Sequence, residues 1–500
     1  MKKNSILLSL LFVSFLIVDL IGYSIWGNSY IFMNKKTVID FGYFVFLFFA
    51  LFLSRFRFLI VGLFFLALTD LGHFYLFKVH LLPYEWKLFF MSYHDVLNAL
   101  VNNLFVLTLL MSALVLFTLT LFFSKRKTYI IADFVVIFLL LFPFFQTKKI
   151  TTFLPSNKHM TYFNALFSLD RELYMLFHAP KAKHFLPYRY KKLQSSKPLV
   201  VLVIGESLNY KRMHLYGWPF KDTPKLDSLK KDPDFVYKKA ISASTETLTS
   251  IGSFLYNKRE PQNIGVLNQP NIIELAKKNG YKVYWLSMQL DRGALLPKFY
   301  LSTDVHYIRG DFKRKYDDEL LKKLKNIPLA KKSFVIIHLR ANHYYYEDYT
   351  PKKYYHWNIS DKSNYHTYMV NSYMDSVLYV DTLLYDMIEY FKHLDRKFVF
   401  YFTSDHSERL GFKDEGGKYL HLELDKCVSY VPFFYYSKSY KRNLTDKYYS
   451  HYQISKMVTE DLGYDLINPN EKKNIYYINA PQFDGVAGYI KYDISKWKDR

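Results

Sequence analysis

Five apolar stretches, at about 4–26, 37–54, 58–78, 96–124 and 128–147, fill the first third of this 500-residue chain. No other feature restricts its fold as much. A run of about twenty apolar residues has the length of a helix that crosses a hydrocarbon layer, and such a layer admits only helices or closed barrels. Basic residues mark alternate connections. Lys2 and Lys3 precede the first stretch, Arg55 and Arg57 separate the second from the third, and Lys125, Arg126 and Lys127 separate the fourth from the fifth. The positive-inside rule puts these on the cytoplasmic side and sends everything after residue 147 outside, with Lys35 and Lys36 against the trend. No small-x-small cleavage site follows the first stretch, so it reads as an uncleaved anchor. The expectation is a multi-pass, all-α transmembrane domain of five helices over 1–147. Asp19, Asp70 and Asp133 fall within or near the stretches, where an acid is either functional or interfacial.

Residues 148–198 form a linker rich in Lys, Tyr and Phe, in which Tyr162–Phe177 has the pattern of an amphipathic, interfacial helix. From residue 199 to 500 the pattern changes to alternating strands and helices. Apolar runs at 199–204, 282–287, 334–338, 397–403 and 431–436 read as buried strands. Asn271–Asn279 reads as a helix closed by Gly280. Ser376–Leu394 repeats Val377, Val380, Leu384, Met387 and Phe391 at helical spacing. The alternation predicts an α/β domain with a mainly parallel sheet between helices. Residues 1–150 have a net charge of +7, leaving +16 of the total +23 to this second part. A basic surface favours anionic partners, and next to a membrane anchor lipid headgroups fit better than nucleic acid. The single cysteine, Cys427, excludes an intrachain disulfide and reads as a core residue.

In open α/β sheets, sites gather at the carboxyl ends of strands. The run from Lys397 to Ser404 ends in Asp405 and His406, and the run from Leu199 to Ile204 ends in Gly205, Glu206 and Ser207. Carboxylates and imidazoles at strand tips are metal-ligand types, so Glu206, Asp405, His406, His343 and His421 are candidates, with zinc favoured over manganese. Segment 242–250 offers several hydroxyls. A threonine on a metal would lose its proton readily and attack phosphorus, whereas a Ser/Thr-rich helix cap would look the same in sequence.

Val201 to Ser207, His214 to Pro219 followed by Asp222 to Leu226, Asn271 to Trp285, Phe334 to His338 with His343, Asp375 to Asp381, and Thr403 to His406 occur in that order. Together they resemble the lipid A phosphoethanolamine transferases, membrane-anchored members of the alkaline phosphatase superfamily. The resemblance spans nearly the whole chain and implies an alkaline-phosphatase-like catalytic domain in the periplasm. It makes Glu206, Thr247, Asp405 and His406 the ligands of one Zn2+. Thr247 becomes the nucleophile because Thr245, Thr247 and Ser250 overlay the family's Thr-x-Thr-x-x-Ser pattern; Thr245 and Thr249 are the fallback choices. His343 and His421 would contact the phosphate or a second zinc, Glu408 would support them, and Arg292 lies near the family's lysine position. The chain departs from the pattern at Gly252, where a proline is usual, at Ser407, where a glycine is usual, and at Asn209, where an arginine is common.

The implied reaction moves phosphoethanolamine from phosphatidylethanolamine through a covalent threonine intermediate to lipid A or another envelope glycan. A related phosphoglycerol transferase or a sulfatase-like phosphohydrolase is the alternative. A true sulfatase needs a Cys/Ser-x-Pro-x-Arg nucleophile motif, and none lies around residue 247. A transporter or sensor built on the three N-terminal acids is the non-enzymatic reading.

Overall fold

A computed structural model describes residues 2–26, 35–77, 80–81, 86, 104–123, 128–145, 159–177, 186–261, 269–289, 295–308, 316–359, 364–421, 424–479 and 488–499. The chain divides into two compact units, Met1–Ala179 and Pro180–Arg500.

The first unit consists of helices at Lys2–Trp26, Lys35–Leu53, Leu59–Phe77, Leu104–Phe123, Ile130–Phe145 and Thr161–Phe177. Their core is aromatic: Phe64 stacks on Phe117 at 4.2 Å, and Phe15 packs against Phe44 at 4.8 Å. Among the described residues no helix is long and apolar enough to cross a membrane. This overturns the expected five-helix transmembrane domain and, with it, the multi-pass placement. Counting apolar residues overlooked two requirements, helix length and unbroken apolarity. The stretches at 37–54 and 128–147 form helices of 19 and 16 residues. At 1.5 Å per residue these rise about 28 and 24 Å, against about 30 Å of hydrocarbon. Lys2–Trp26, Lys35–Leu53 and Leu59–Phe77 each also carry a fully buried acid: Asp19, Asp40 and Asp70. These acids hold other parts of the unit. Asp19 accepts from the Thr161 amide at 2.8 Å. Asp40 pairs with His159 at 2.8 Å, and Asp70 with His80 at 3.0 Å. Asp133 accepts from the Arg55 guanidinium at 2.7 Å.

The second unit is built on an eight-stranded sheet. Its strands, in chain order, begin with β1 (Arg189–Lys192), which lies outside it, then β2 (Leu199–Gly205), β3 (Phe235–Ile241), β4 (Lys282–Ser287), β5 (Val305–Ile308), β6 (Ser333–His338) and β7 (Val399–Ser404). After the short pair β8 (Arg409–Leu410) and β9 (Tyr419–Leu420) come β10 (Tyr430–Tyr436) and β11 (Tyr448–Ser450). The order across the sheet is β11-β3-β10-β7-β2-β6-β4-β5. Only β10 runs against its neighbours, β3 and β7; the other pairings are parallel. A sheet covered on both faces needs apolar residues on both sides of its central strands. β2, β6, β7 and β10 are accordingly buried along their whole length.

On one face, Val200, Leu202, Ile336 and Tyr401 pack with Ile251, Phe254, Ile273, Ile454 and Val458 from helices at Thr247–Leu255, Ile272–Lys278 and His451–Asp461. Toward the other face lies the 28-residue helix Tyr365–Lys392, whose Phe391 ring sits 6.3 Å from that of Phe400. Its first turn begins eleven residues before the periodic segment read from sequence, where Asn364 accepts from the Thr367 amide at 3.1 Å. The helix expected over Asn271–Asn279 is present, with a reciprocal Asn271–Glu274 cap and Gly280 at φ +76°.

Candidate metal centre

Parallel register fixes the site. Gly205 pairs with Ser404, so Glu206 and Asp405 leave adjacent strand ends side by side. Ser207, at φ +53°, turns the chain so that its amide donates to Asp405 Oδ1 at 3.2 Å and its hydroxyl to Glu206 Oε1 at 2.6 Å. The His406 amide donates to the same Asp405 oxygen at 2.7 Å. His406 Nε2 then lies 3.4 Å from Glu206 Oε1 and 3.5 Å from Asp405 Oδ2. One ligand atom from each of the three residues falls within 4.8 Å of the others, and all three are buried.

The charges explain what such a cluster needs. Burial and the neighbouring Glu206 carboxylate push the Asp405 pKa up. Burial also acts on Glu206, but His406, His343 and the Ser207 hydroxyl outweigh it and hold that carboxyl low. Among the described residues Asp405 Oδ2 is buried without a hydrogen-bond partner. A buried carboxylate oxygen is seldom left unpaired, and a cation among two carboxylates and an imidazole would satisfy it. The donor set suits zinc.

Thr247 opens the helix Thr247–Leu255. Glu246 caps that helix, accepting from the Leu248 amide at 2.9 Å and the Thr249 amide at 2.6 Å. The Thr247 hydroxyl is 3.4 Å from Glu206 Oε2 and 3.3 Å from His406 Nε2. The Thr245 hydroxyl is buried without a hydrogen bond among the described residues, and Thr249 lies beside the Glu246 carboxyl. Ser250, one turn along, donates to the Asp405 carbonyl.

A second group sits beside the first. Glu408 accepts from the Tyr346 hydroxyl, with Ser207 Oγ 3.1 Å and His421 Nδ1 3.2 Å away. The His421 and His406 rings are 4.2 Å apart. His343 lies in the loop after β6, half-buried, with Nδ1 2.6 Å from the Tyr344 carbonyl. Arg292 lies outside the described residues.

Two residues escaped the sequence reading. Gln289, two positions past β4, donates to Glu206 Oε2 at 2.6 Å and to the Leu339 carbonyl at 2.8 Å. His451 ties the loop before the Thr247 helix to β7. Gln289 follows a strand whose carboxyl end joins the same rim, but its residue type gave no signal. His451 follows a three-residue strand with no pattern to mark it.

Residues 198–463 match the sulfatase family model. The phosphoethanolamine transferase EptC of Escherichia coli O18:K1:H7 is 30% identical over 233 residues, covering 42% of this chain and 40% of that protein. The chain thus spans well under two thirds of that relative's length. The periplasmic domain of Escherichia coli EptC in complex with Zn superposes with a TM-score of 0.53 at 22% identity, covering 63% of this chain and 97% of that one. The integral membrane protein lipooligosaccharide phosphoethanolamine transferase A of Neisseria meningitidis gives a TM-score of 0.62 at 18% identity, covering 91% of this chain and 93% of that one.

Proposed function

The chain belongs to the sulfatase family, and on that premise we propose that it is a metal-dependent phosphoethanolamine transferase. The observation that carries this reading is the Thr247 hydroxyl, 3.3–3.4 Å from two members of the Glu206–Asp405–His406 cluster at the first turn of a helix. A sulfatase reading lacks its Cys/Ser-x-Pro-x-Arg nucleophile. The similarity to phosphoethanolamine transferases supports the transferred group, and with it lipid and glycan substrates handled in a membrane context.

Glu206, Asp405, His406 and Thr247 would hold the Zn2+. When bound, the ion lowers the pKa of a coordinated hydroxyl and offsets charge on phosphoryl oxygens. The remaining work falls to the chain's own groups. Thr247 Oγ1 gives up its proton to solvent, from which it is later regained, and bonds to the phosphorus of phosphatidylethanolamine. The bond from phosphorus to the diacylglycerol oxygen breaks, and that oxygen takes a proton from His421 or His343. An acceptor hydroxyl on lipid A or another envelope glycan then loses its proton to the same histidine and attacks phosphorus. Thr247 leaves and regains its proton. Glu408 orients His421 through their 3.2 Å contact. Arg292 is the proposed phosphate contact on the strength of its sequence position alone, and Ser250 acts by fixing the helix to the Asp405 carbonyl.

Mass spectrometry tests the reading on two molecules. Purified protein given phosphatidylethanolamine should carry a phosphoethanolamine adduct on Thr247, lost in Thr247→Ala. Lipid A and other envelope glycans from cells expressing the wild type should carry the same group, absent with the variant. A wild type that neither forms the adduct nor alters any glycan would sink the transferase reading.

A further inference from the structure

His451 is buried at the start of the helix His451–Asp461, far in sequence from every residue of the metal cluster. It joins the two segments whose spacing sets the geometry of the reaction. On one side its Nδ1 lies 3.2 Å from the Ala243 amide, in the loop leading to Thr247, and 3.3 Å from Ser250 Oγ, one turn along the Thr247 helix. On the other side its Nε2 lies 3.0 Å from the Ser404 carbonyl and 3.2 Å from Thr403 Oγ1, the last residues of β7 before Asp405 and His406.

These partners fix the tautomer. An amide can only donate and a carbonyl can only accept. Nδ1 is therefore the bare nitrogen, receiving from Ala243, and Nε2 carries the proton given to Ser404. Burial keeps the ring neutral, its pKa pushed down to about 3. Phe254 closes over the ring edge-on at 5.5 Å. With both nitrogens committed and an aromatic face against it, the imidazole is a rigid spacer.

We infer that His451 is a positioning residue that sets the distance between the Thr247 hydroxyl and the Asp405–His406 pair. It touches neither the proposed substrate nor a metal ligand's side chain; it acts through the Ser404 carbonyl at the end of β7 and through the Ala243 amide in the loop leading to Thr247. The inference rests on the reading of Thr247 as nucleophile. A displacement of about 1 Å at such a site costs on the order of 100-fold in rate. Loss of His451 should therefore lower the rate of the chemical step while leaving the metal ligands in place.

The test uses the full-length protein with three substitutions. His451→Ala removes both links, His451→Asn supplies an amide that can meet Ala243, and His451→Gln supplies one that can reach the Ser404 carbonyl. Three quantities are measured: the rate of Thr247 adduct formation with its split into kcat and KM, zinc affinity by competition with a chelating dye, and melting temperature. A folded Asn or Gln variant should lose about 100-fold in kcat, with KM and zinc affinity within about threefold, equal to less than 1 kcal/mol. A wild-type rate in any folded variant overturns the assignment. Loss of zinc affinity and of cooperative melting in step with rate in all three also overturns it, because the role is then structural. If the wild type forms no adduct, the transferase reading falls and takes this inference with it. If the wild type forms the adduct and the variants form it equally fast, only the role of His451 falls.

Discussion

The amide of Gln289 holds Glu206 Oε2 at 2.6 Å while Ser207 holds Oε1 at the same distance. Both oxygens of one carboxylate are thus anchored, so the plane of Glu206 is set before any ion arrives. Groups that orient metal ligands typically contribute 10- to 100-fold in metal affinity. Gln289→Ala should accordingly weaken zinc binding about tenfold and leave the fold intact, because the Leu339 carbonyl is the one other partner lost. Competition with a chelating dye measures this. An affinity equal to that of the wild type would mean that Ser207 alone orients Glu206. The candidate ligands were legible as chemistry at strand tips: Glu206, Asp405 and His406 converge, and each announces itself by residue type. Gln289 does not, since an amide past a strand end is ordinary in any loop.

At the level of elements, the Thr247 helix depends on an unusual cap. Glutamate is not among the preferred N-cap residues, yet Glu246 accepts from both the Leu248 and Thr249 amides. It satisfies two of the helix's open donors and sets where the first residue, Thr247, points. Glu246→Ala should cost about 1 kcal/mol of stability, as loss of an N-cap does, read as a shift of the denaturation midpoint. Glu246→Asp, with a shorter arm, should recover part of it. A midpoint unchanged in Glu246→Ala would show that tertiary packing alone holds the helix end. The same physics explains which elements could be read in advance. β2, β4, β6, β7 and β10 are apolar on both sides because the sheet is covered on both faces, and such runs stand out. β3 does not, because Lys238 and Lys239 interrupt a strand whose middle residues are only half-buried. β11 has three residues, too few for any period. The extension of the long helix back to Tyr365 was hidden by aromatic and polar residues whose burial only the tertiary fold decides.

For the whole molecule, the sharpest limit of the sequence was the first unit. Its apolar runs were legible as helices but not as parts of a unit in which Asp19 and Asp40 lie buried against partners distant in sequence and Asp70 against His80. The second unit makes a prediction that involves all of its strands. Glu206 and Asp405 end two neighbouring central strands, so a cation between them ties the sheet's middle together. A ligand that binds only the folded state stabilises it by about 4 kcal/mol at a thousand times its Kd. For a unit of this size that corresponds to about 6 °C in melting temperature. Zinc should raise the melting temperature of the wild type by that order, and a chelator should reverse it. Asp405→Asn should behave oppositely in its two states. Without zinc it removes an acid that burial and Glu206 already disfavour as a charge, so melting should match or exceed that of the metal-free wild type. With zinc it should gain little, because a neutral amide is a poor ligand beside a carboxylate. A wild type that melts at one temperature with zinc and with chelator would remove the metal from the site. An Asp405→Asn variant that zinc still stabilises fully would move the ion elsewhere in the unit.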